Sequence, residues 1–107
     1  MILEYLEDND YGSSYDDVDA APNEARLPPD LIAAAACYIA AKNYEDHVAE
    51  HGRPESQEQA KEFVTGLSDA FIDHIIKKKS FDNTDAARAK DIASNDLGDA
   101  LTASGEF

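Results

Sequence analysis

The sequence has 107 residues, 43% of them hydrophobic and 30% charged, which suits one folded domain with a modest core. Its 23 acidic and 9 basic residues give a formal net charge of −14. This charge excludes nucleic acid and anionic membrane as expected partners, because both bind basic surfaces. The single cysteine, Cys37, excludes an internal disulfide and favours a reducing compartment.

Residues 1–26 form an acidic N-terminal arm with eight acidic residues and one basic residue. Apolar residues and tyrosines are interspersed among the acids, so we expect either a mostly mobile tail or a segment that docks through its tyrosines. The arm begins with neither a basic region nor a long apolar stretch. No signal or transit peptide is therefore expected, and the cytoplasm is the predicted location.

The first strong helix is predicted between Pro28-Pro29-Asp30 and Gly52. Proline suits the first helical turn, an early acid complements the positive end of the helix dipole, and Pro54 prevents continuation beyond the glycine. Residues 31–41 are apolar and rich in alanine. They fall short of the roughly 20 apolar residues that cross a bilayer, so no membrane partner is expected. Alanine on most faces predicts close approach by more than one neighbouring helix.

A second helix is predicted to start at Ser56, because Ser56 and Gln59 have the spacing of a capping box. Three lysines, Lys77, Lys78 and Lys79, close this helix, where they complement its dipole. Helical spacing assigns an inward face to Ala60, Phe63, Val64, Leu67, Ala70, Phe71, Ile72, Ile75 and Ile76.

A shorter third helix is predicted after an N-cap at Asn83 or Thr84, with Gly98 interrupting or ending it. No convincing strand pattern occurs. The expected fold is all-α, an antiparallel helical hairpin plus the shorter third helix. The predicted division is the arm at 1–26, a helical domain at 27–102 and a frayed C-terminus at 103–107.

Two histidines near the end of the first helix are the main candidates for chemistry. His47 and His51 are four residues apart, a spacing that places both imidazoles on one side of a helix and that metal sites use. Asp46 and Glu50 lie beside them. A divalent metal here would require further ligands from a neighbouring helix or a second subunit. The alternative interpretation is a pair of exposed helix-end histidines.

Glu45, Asp46 and Glu50 also crowd the negative end of the helix dipole, which disfavours acids. A protonated histidine, Arg53, the amino end of the second helix or a bound cation could offset them. We favour the combination of histidine, Arg53 and helix start over a metal.

The remaining reactive residue types do not predict an enzyme. His74 is expected to be a hydrogen-bonded core histidine, and Asp73 is expected either to cap or to pair with Lys77 at i,i+4. Ser68 lacks a G-x-S-x-G context and Cys37 lies in the apolar run. We therefore expect no catalytic residues.

Short motifs follow one another in order along the predicted helices: Ala41-Lys42, Tyr44-Glu45-Asp46-His47, Gly52-Arg53-Pro54, Lys61-Glu62 and Asp73. This series resembles the fungal CipC-like family, also called concanamycin-induced or antibiotic-response proteins, over roughly residues 27–93. The sequence departs from the usual pattern at Gln57, where members often carry histidine, and at Ser80, where a glycine is usual. The residues that carry the resemblance most strongly are Lys42, Tyr44, Glu45, Asp46, His47, Gly52, Pro54, Lys61, Glu62 and Asp73, and we refer to them as the signature residues.

The resemblance implies a small intracellular fungal protein associated with stress or antibiotic exposure. We expect a non-enzymatic protein that acts through protein contacts. A homodimer is the expected assembly, because a hairpin with one short helix leaves apolar surface uncovered. One alternative is a metal-binding protein that uses His47 and His51. A second alternative is an acidic mimic of nucleic acid that captures a basic protein. No cofactor is expected other than such a metal.

Overall fold

A computed structural model describes residues 2–8, 10–22, 26–81 and 85–103, and these ranges contain five α-helices and no strand. The helices are α1 (Ile2–Asp8), α2 (Tyr11–Ala20), α3 (Pro29–His51), α4 (Gln57–Lys79) and α5 (Ala86–Ala103). The all-α prediction is therefore confirmed. No helix within the described ranges combines the length and the apolar character needed to cross a membrane.

Helix α3 has the boundaries that the sequence predicts. Pro29 occupies the first turn, and the helix ends at His51. Gly52 follows with φ 85°, in the left-handed region that only glycine enters without steric cost. Its N–H donates to the carbonyl oxygen of Val48 at 2.8 Å. The chain therefore leaves α3 sharply and turns into α4.

Helix α3 is also the centre of the fold, because it packs against each of α1, α2, α4 and α5. Short alanine side chains allow these backbones to approach closely, so the expectation of several neighbours is confirmed. The buried residues of α3 are Ile32, Ala33, Ala35, Ala36, Cys37, Ala40, Ala41 and Tyr44.

Helix α4 begins with the predicted cap in a slightly altered form. The Gln59 N–H donates to Ser56 Oγ at 3.2 Å, and Gln59 Oε1 accepts from the N–H of Glu55 at 3.3 Å. A standard capping box would use the N–H of the serine itself. At the other end, Ser80 has φ 51°, a left-handed conformation that explains why glycine suits this position.

The inward face of α4 agrees with the prediction except at Ala70, which is exposed. The fully or nearly buried members are Ala60, Val64, Ile72 and Ile75. Phe63, Leu67, Phe71 and Ile76 are half-buried against the core.

Helix α5 is capped by Asp85, whose Oδ1 accepts from the N–H of Arg88 at 3.0 Å. The predicted caps Asn83 and Thr84 lie outside the described residues. The expectation that Gly98 interrupts or ends the helix is wrong, since α5 continues to Ala103. A helical glycine costs about 1 kcal/mol relative to alanine, and burial of Leu97, Ala100 and Leu101 around it offsets that cost.

The N-terminal arm is helical within residues 2–8 and 11–20 and docks on the rest of the protein through its tyrosines. The Tyr15 ring lies 5.7 Å from that of Tyr38 and 6.2 Å from that of Phe71. The Tyr11 hydroxyl donates to Asp96 Oδ2 at 3.1 Å. Helices α1 and α2 thus cover α3 surface that a three-helix unit would leave open.

Lys79 holds α2 in place. Its Nζ donates to the carbonyl oxygens of Val18 at 3.2 Å, Ala21 at 2.8 Å and Asp19. These carbonyls end α2, where unpaired acceptors and the negative end of the dipole favour a cation. Lys79, which the sequence predicts to complement the dipole of α4, therefore caps the end of α2.

Candidate functional site

A pocket of about 370 Å³ lies at the turn between α3 and α4. We refer to it as the histidine pocket. The last two turns of α3, the connecting turn and the start of α4 supply its lining. The lining residues are His47, His51, Gly52, Arg53, Pro54, Gln59 and Phe63.

Three rings form one wall of the histidine pocket. The His47 ring centroid lies 4.7 Å from that of His51 and 4.5 Å from that of Phe63, with interplanar angles of 39° and 33°. Tyr44, buried one turn earlier on α3, lies 6.2 Å from Phe63. The spacing of four residues does place both imidazoles on one side of α3, as predicted. Phe63 joins them because α4 packs against α3.

The lining of the pocket has a charge character opposite to that of the whole chain. It contains one arginine, two histidines and no acidic residue, although 23 of the 107 residues are acidic. The amino end of α4, which carries the positive end of a helix dipole, lies beside it. Glu50 flanks the lining, with its Oε2 3.6 Å from His51 Nε2. The pocket lining therefore carries hydrogen-bond donors and one permanent positive charge, that of Arg53.

The predicted metal ligands are only partly brought together. His47 and His51 are adjacent and Glu50 lies beside His51, whereas Asp46 is exposed. Over the ranges that the structure describes, no three or more His, Cys, Asp and Glu side chains converge in a way that could hold a metal ion. A metal bound by both imidazoles would need further ligands from elsewhere, such as a second molecule.

Glu45 has a partner that the sequence did not reveal. Its Oε2 accepts from the N–H of Leu3, in the first turn of α1, at 2.7 Å. The sequence predicts that the start of α4 offsets the acids at the end of α3, but Glu45 contacts the start of α1. The two residues are 42 positions apart, so no local signal could have identified the pair.

Two expectations about α4 are wrong. Asp73 pairs with Lys90 of α5, whose Nζ lies 2.9 Å from Oδ1 and 3.0 Å from Oδ2, and not with Lys77. This hydrogen bond raises the pKa of Lys90. His74 is exposed and not a core residue, because the neighbouring positions Ile72 and Ile75 are the ones that face inward.

The candidate nucleophiles lie away from the histidine pocket. Cys37 is fully buried, its thiol donates to the carbonyl oxygen of Ala93 at 3.4 Å, and burial raises its pKa. Ser68 is also fully buried, and its Oγ has no hydrogen-bond partner within the described part of the chain. Neither side chain lines the pocket that holds the histidines.

A second groove, of about 430 Å³, was missed by the sequence reasoning. It runs between α4 and α5 past Lys61, Thr65, Asp69 and Ser94. Thr65 Oγ1 and Asp69 Oδ1 are buried there without a hydrogen-bond partner among the described residues, and burial raises the pKa of Asp69. The spacing by four of the polar residues Lys61, Thr65 and Asp69 along α4 was the available signal.

The signature residues lie in the histidine pocket, in the second groove, in the core and on the surface. His47, Gly52 and Pro54 line the histidine pocket, Lys61 and Glu62 line the second groove, and Tyr44 is buried beneath Phe63. Lys42 is exposed.

The comparisons with known proteins agree with the resemblance inferred from the sequence. A family model described as Virulence factor CipC-like matches residues 14–104. The match extends beyond residues 27–93 at both ends and includes most of α2, while α1 lies outside it. No curated protein and no solved structure gives a significant match. The chain belongs to the CipC-like family.

Proposed function

We propose that this protein is a non-enzymatic, cytoplasmic component of a stress or antibiotic response and that it acts by binding another protein. The histidine pocket carries the proposal. It combines aromatic rings with convergent polar groups at an exposed turn, a composition typical of binding sites. Three signature residues, His47, Gly52 and Pro54, line it.

The surroundings of the reactive side chains support a binding role over a catalytic one. Nucleophilic catalysis needs a serine or cysteine within hydrogen-bond reach of a base. Cys37 and Ser68 are both fully buried, and the histidines His47 and His51 lie at the far end of α3 from the Cys37 turn. Burial also keeps the Cys37 thiol protonated, since its pKa is raised.

A different protein fits better as the partner than a second copy. The uncovered surface that favoured a homodimer is occupied by α1 and α2, whose Leu6 and Val18 are fully buried. Light scattering during size-exclusion chromatography is expected to give a monomer. A stable dimer would instead favour a second copy of this chain as the partner.

Site-specific crosslinking tests the proposal. A photoreactive amino acid at Gln59, which lines the pocket, is expected to capture a discrete partner in cells under antibiotic stress, and excess unlabelled protein should compete for it. The same group at Lys78, exposed at the opposite end of α4, serves as the matched control. Identical products from both positions, or none from Gln59, would contradict the proposal.

The adjacency of the two imidazoles favours a metal as the second candidate ligand of the pocket. Zinc binds imidazole nitrogen, and the 4.7 Å ring separation would bring both rings to one ion after a small adjustment. Calorimetric titration with zinc should then distinguish the wild type from the His47→Ala/His51→Ala double variant, with His74→Ala as the control. Equally weak binding by all three proteins would rule this candidate out.

A further inference from the structure

We infer that the groove between α4 and α5 binds an aliphatic diamine, with one ammonium group held by Thr65 and Asp69 and the other by Glu62. This inference is independent of the proposed function, because it concerns a different surface from the histidine pocket. The groove volume of about 430 Å³ lies within the range of about 300–1,000 Å³ found for small-ligand sites.

Polar contacts at both ends fix the width of the groove. At one end, Lys90 Nζ of α5 lies 2.9 Å from Asp73 Oδ1 of α4. At the other end, Gln57 Nε2 of α4 donates to Thr102 Oγ1 of α5 at 2.9 Å. Because both contacts join the two helices, the groove is formed before a ligand enters, which lowers the entropic cost of binding.

Glycine leaves open space along the α4 wall of the groove. Gly66 lines the groove and is exposed, and a Cβ added to it would meet no atom of the described residues within 4 Å. On the α5 side, Lys61 Cε lies 3.4 Å from the position of a Cβ added to Gly98. The methylene stem of Lys61 therefore crosses to α5 and adds apolar surface to the groove. An aliphatic chain has both room and apolar contact here.

Two buried oxygens select a ligand that donates hydrogen bonds. Thr65 Oγ1 and Asp69 Oδ1 are buried and have no hydrogen-bond partner among the described residues. Both side chains line the groove and are only half-buried, so rotation about one side-chain bond turns each oxygen toward it. A carboxylate only accepts hydrogen bonds, whereas a primary ammonium group supplies three donors. One ammonium group therefore satisfies both oxygens.

The charges of the lining select a cation over a neutral donor. The lining contains three acidic residues, Glu58, Glu62 and Asp69, and one lysine, Lys61. The three acids form no ion pair within the ranges that the structure describes. Burial raises the pKa of Asp69, and Lys90 offsets this rise only in part. An ammonium group beside Asp69 would lower that pKa further, because it favours the charged carboxylate.

The separation of the acids selects a ligand with two ammonium groups. Glu62 lies seven residues before Asp69, which places both on one side of α4 and about 10 Å apart along its axis. A short alkyl chain with an ammonium group at each end spans most of this distance, and the acidic side chains reach toward it. Lys61 repels the ammonium group near Glu62 more than the one near Asp69, so Asp69 is expected to supply most of the affinity.

The test titrates the intact protein with 1,4-diaminobutane at physiological salt and follows backbone amide signals by NMR. The signals of Gly66 and Ser94, on the two walls of the groove, are expected to shift to saturation, and that of Gly52 should not move. 1,4-Butanediol has nearly the same length and no charge, and it should bind about tenfold more weakly. Butylamine lacks the second ammonium group and should bind about threefold more weakly, the effect of one exposed ion pair.

Three variants separate a built site from the general attraction of a cation to an acidic protein. Asp69→Asn should weaken diaminobutane binding about tenfold. Asp17→Asn makes the same charge change at an exposed position of α2 and should leave the affinity unchanged. Gly66→Leu alters no charge, and its side chain should fill the groove and abolish binding. Leucine is a better helix former than glycine, so chemical unfolding of this variant should show no loss of stability.

Equal binding of diaminobutane and butanediol, or equal affinities of the Asp69→Asn and Asp17→Asn variants, would overturn the inference. Unchanged binding by folded Gly66→Leu would place the diamine outside the groove and would also overturn it. Equal binding of butylamine and diaminobutane would overturn the role of Glu62. The crosslinking experiment tests the proposed function separately, because Gln59 lines the histidine pocket and not this groove.

Discussion

Replacement of Glu45 by glutamine is expected to loosen α1 while leaving the rest of the fold intact. The Glu45 carboxylate accepts from the N–H of Leu3 at 2.7 Å, at a helix start where a negative charge is favoured. Glu45→Gln keeps the shape and an acceptor oxygen but removes the charge. Helix α1 has only seven residues, so it depends on tertiary contacts for its order.

The expected magnitude follows from the geometry. A charge at a half-buried helix start stabilises by about 1 kcal/mol, within a range of about 0.3–2 kcal/mol. Local opening of α1 should therefore become about fivefold more frequent. Hydrogen exchange at the amides of Leu6 and Glu7 measures this opening directly. The amide of Ile72, on a fully buried position of α4, should exchange at nearly the wild-type rate.

Glu50→Gln is the matched control, because Glu50 is a second acid at the same end of α3 and lies beside His51, not beside α1. It should leave exchange in α1 unchanged. Equal acceleration of hydrogen exchange in both variants would indicate a general charge effect. No acceleration in Glu45→Gln would refute the stabilising contact between Glu45 and the start of α1.

Three further substitutions test the packing and electrostatics of the helices by chemical unfolding. Lys79→Met should cost about 1 kcal/mol, since it removes the cation that caps α2, whereas Lys78→Met at an exposed position should stay within about 0.5 kcal/mol of wild type. Gly66→Ala should stabilise by about 0.8–1 kcal/mol, because the added methyl meets no atom within 4 Å, and a loss of stability would contradict this. Burial raises the pKa of Asp69, so its carboxylate opposes folding above that pKa. Asp69→Asn should therefore increase the free energy of unfolding near pH 7, and this increase should shrink as the pH falls through the raised pKa. The absence of an increase at pH 7 would contradict the raised pKa of Asp69.

The features that the sequence predicts well are those decided within a few residues. The boundaries of α3 follow from Pro29 and Gly52, and the start of α4 follows from Ser56. Each of these residues acts on its own turn through backbone geometry or a cap. The inward face of α4 is likewise readable, because the period of its apolar residues is a local property.

The features that the sequence does not predict depend on which distant residue comes close. Glu45 meets Leu3, Lys79 meets the end of α2, and Asp73 meets Lys90 in place of Lys77. In each case the sequence contains several residues or helix ends that could pair equally well with the charged side chain. The packing of whole helices then decides among them.

The histidine pocket shows how the same limit applies to function. The spacing of His47 and His51 predicts that their rings share a side of α3, and they do. It cannot predict that Phe63 completes the ring wall, since that contact requires α4 to turn back against α3. The residues that set this turn, Gly52 and Pro54, also line the pocket. Because one short turn fixes both the chain reversal and the shape of the pocket, a substitution of Gly52, whose φ is 85°, should lower the stability of the fold and alter ligand binding together.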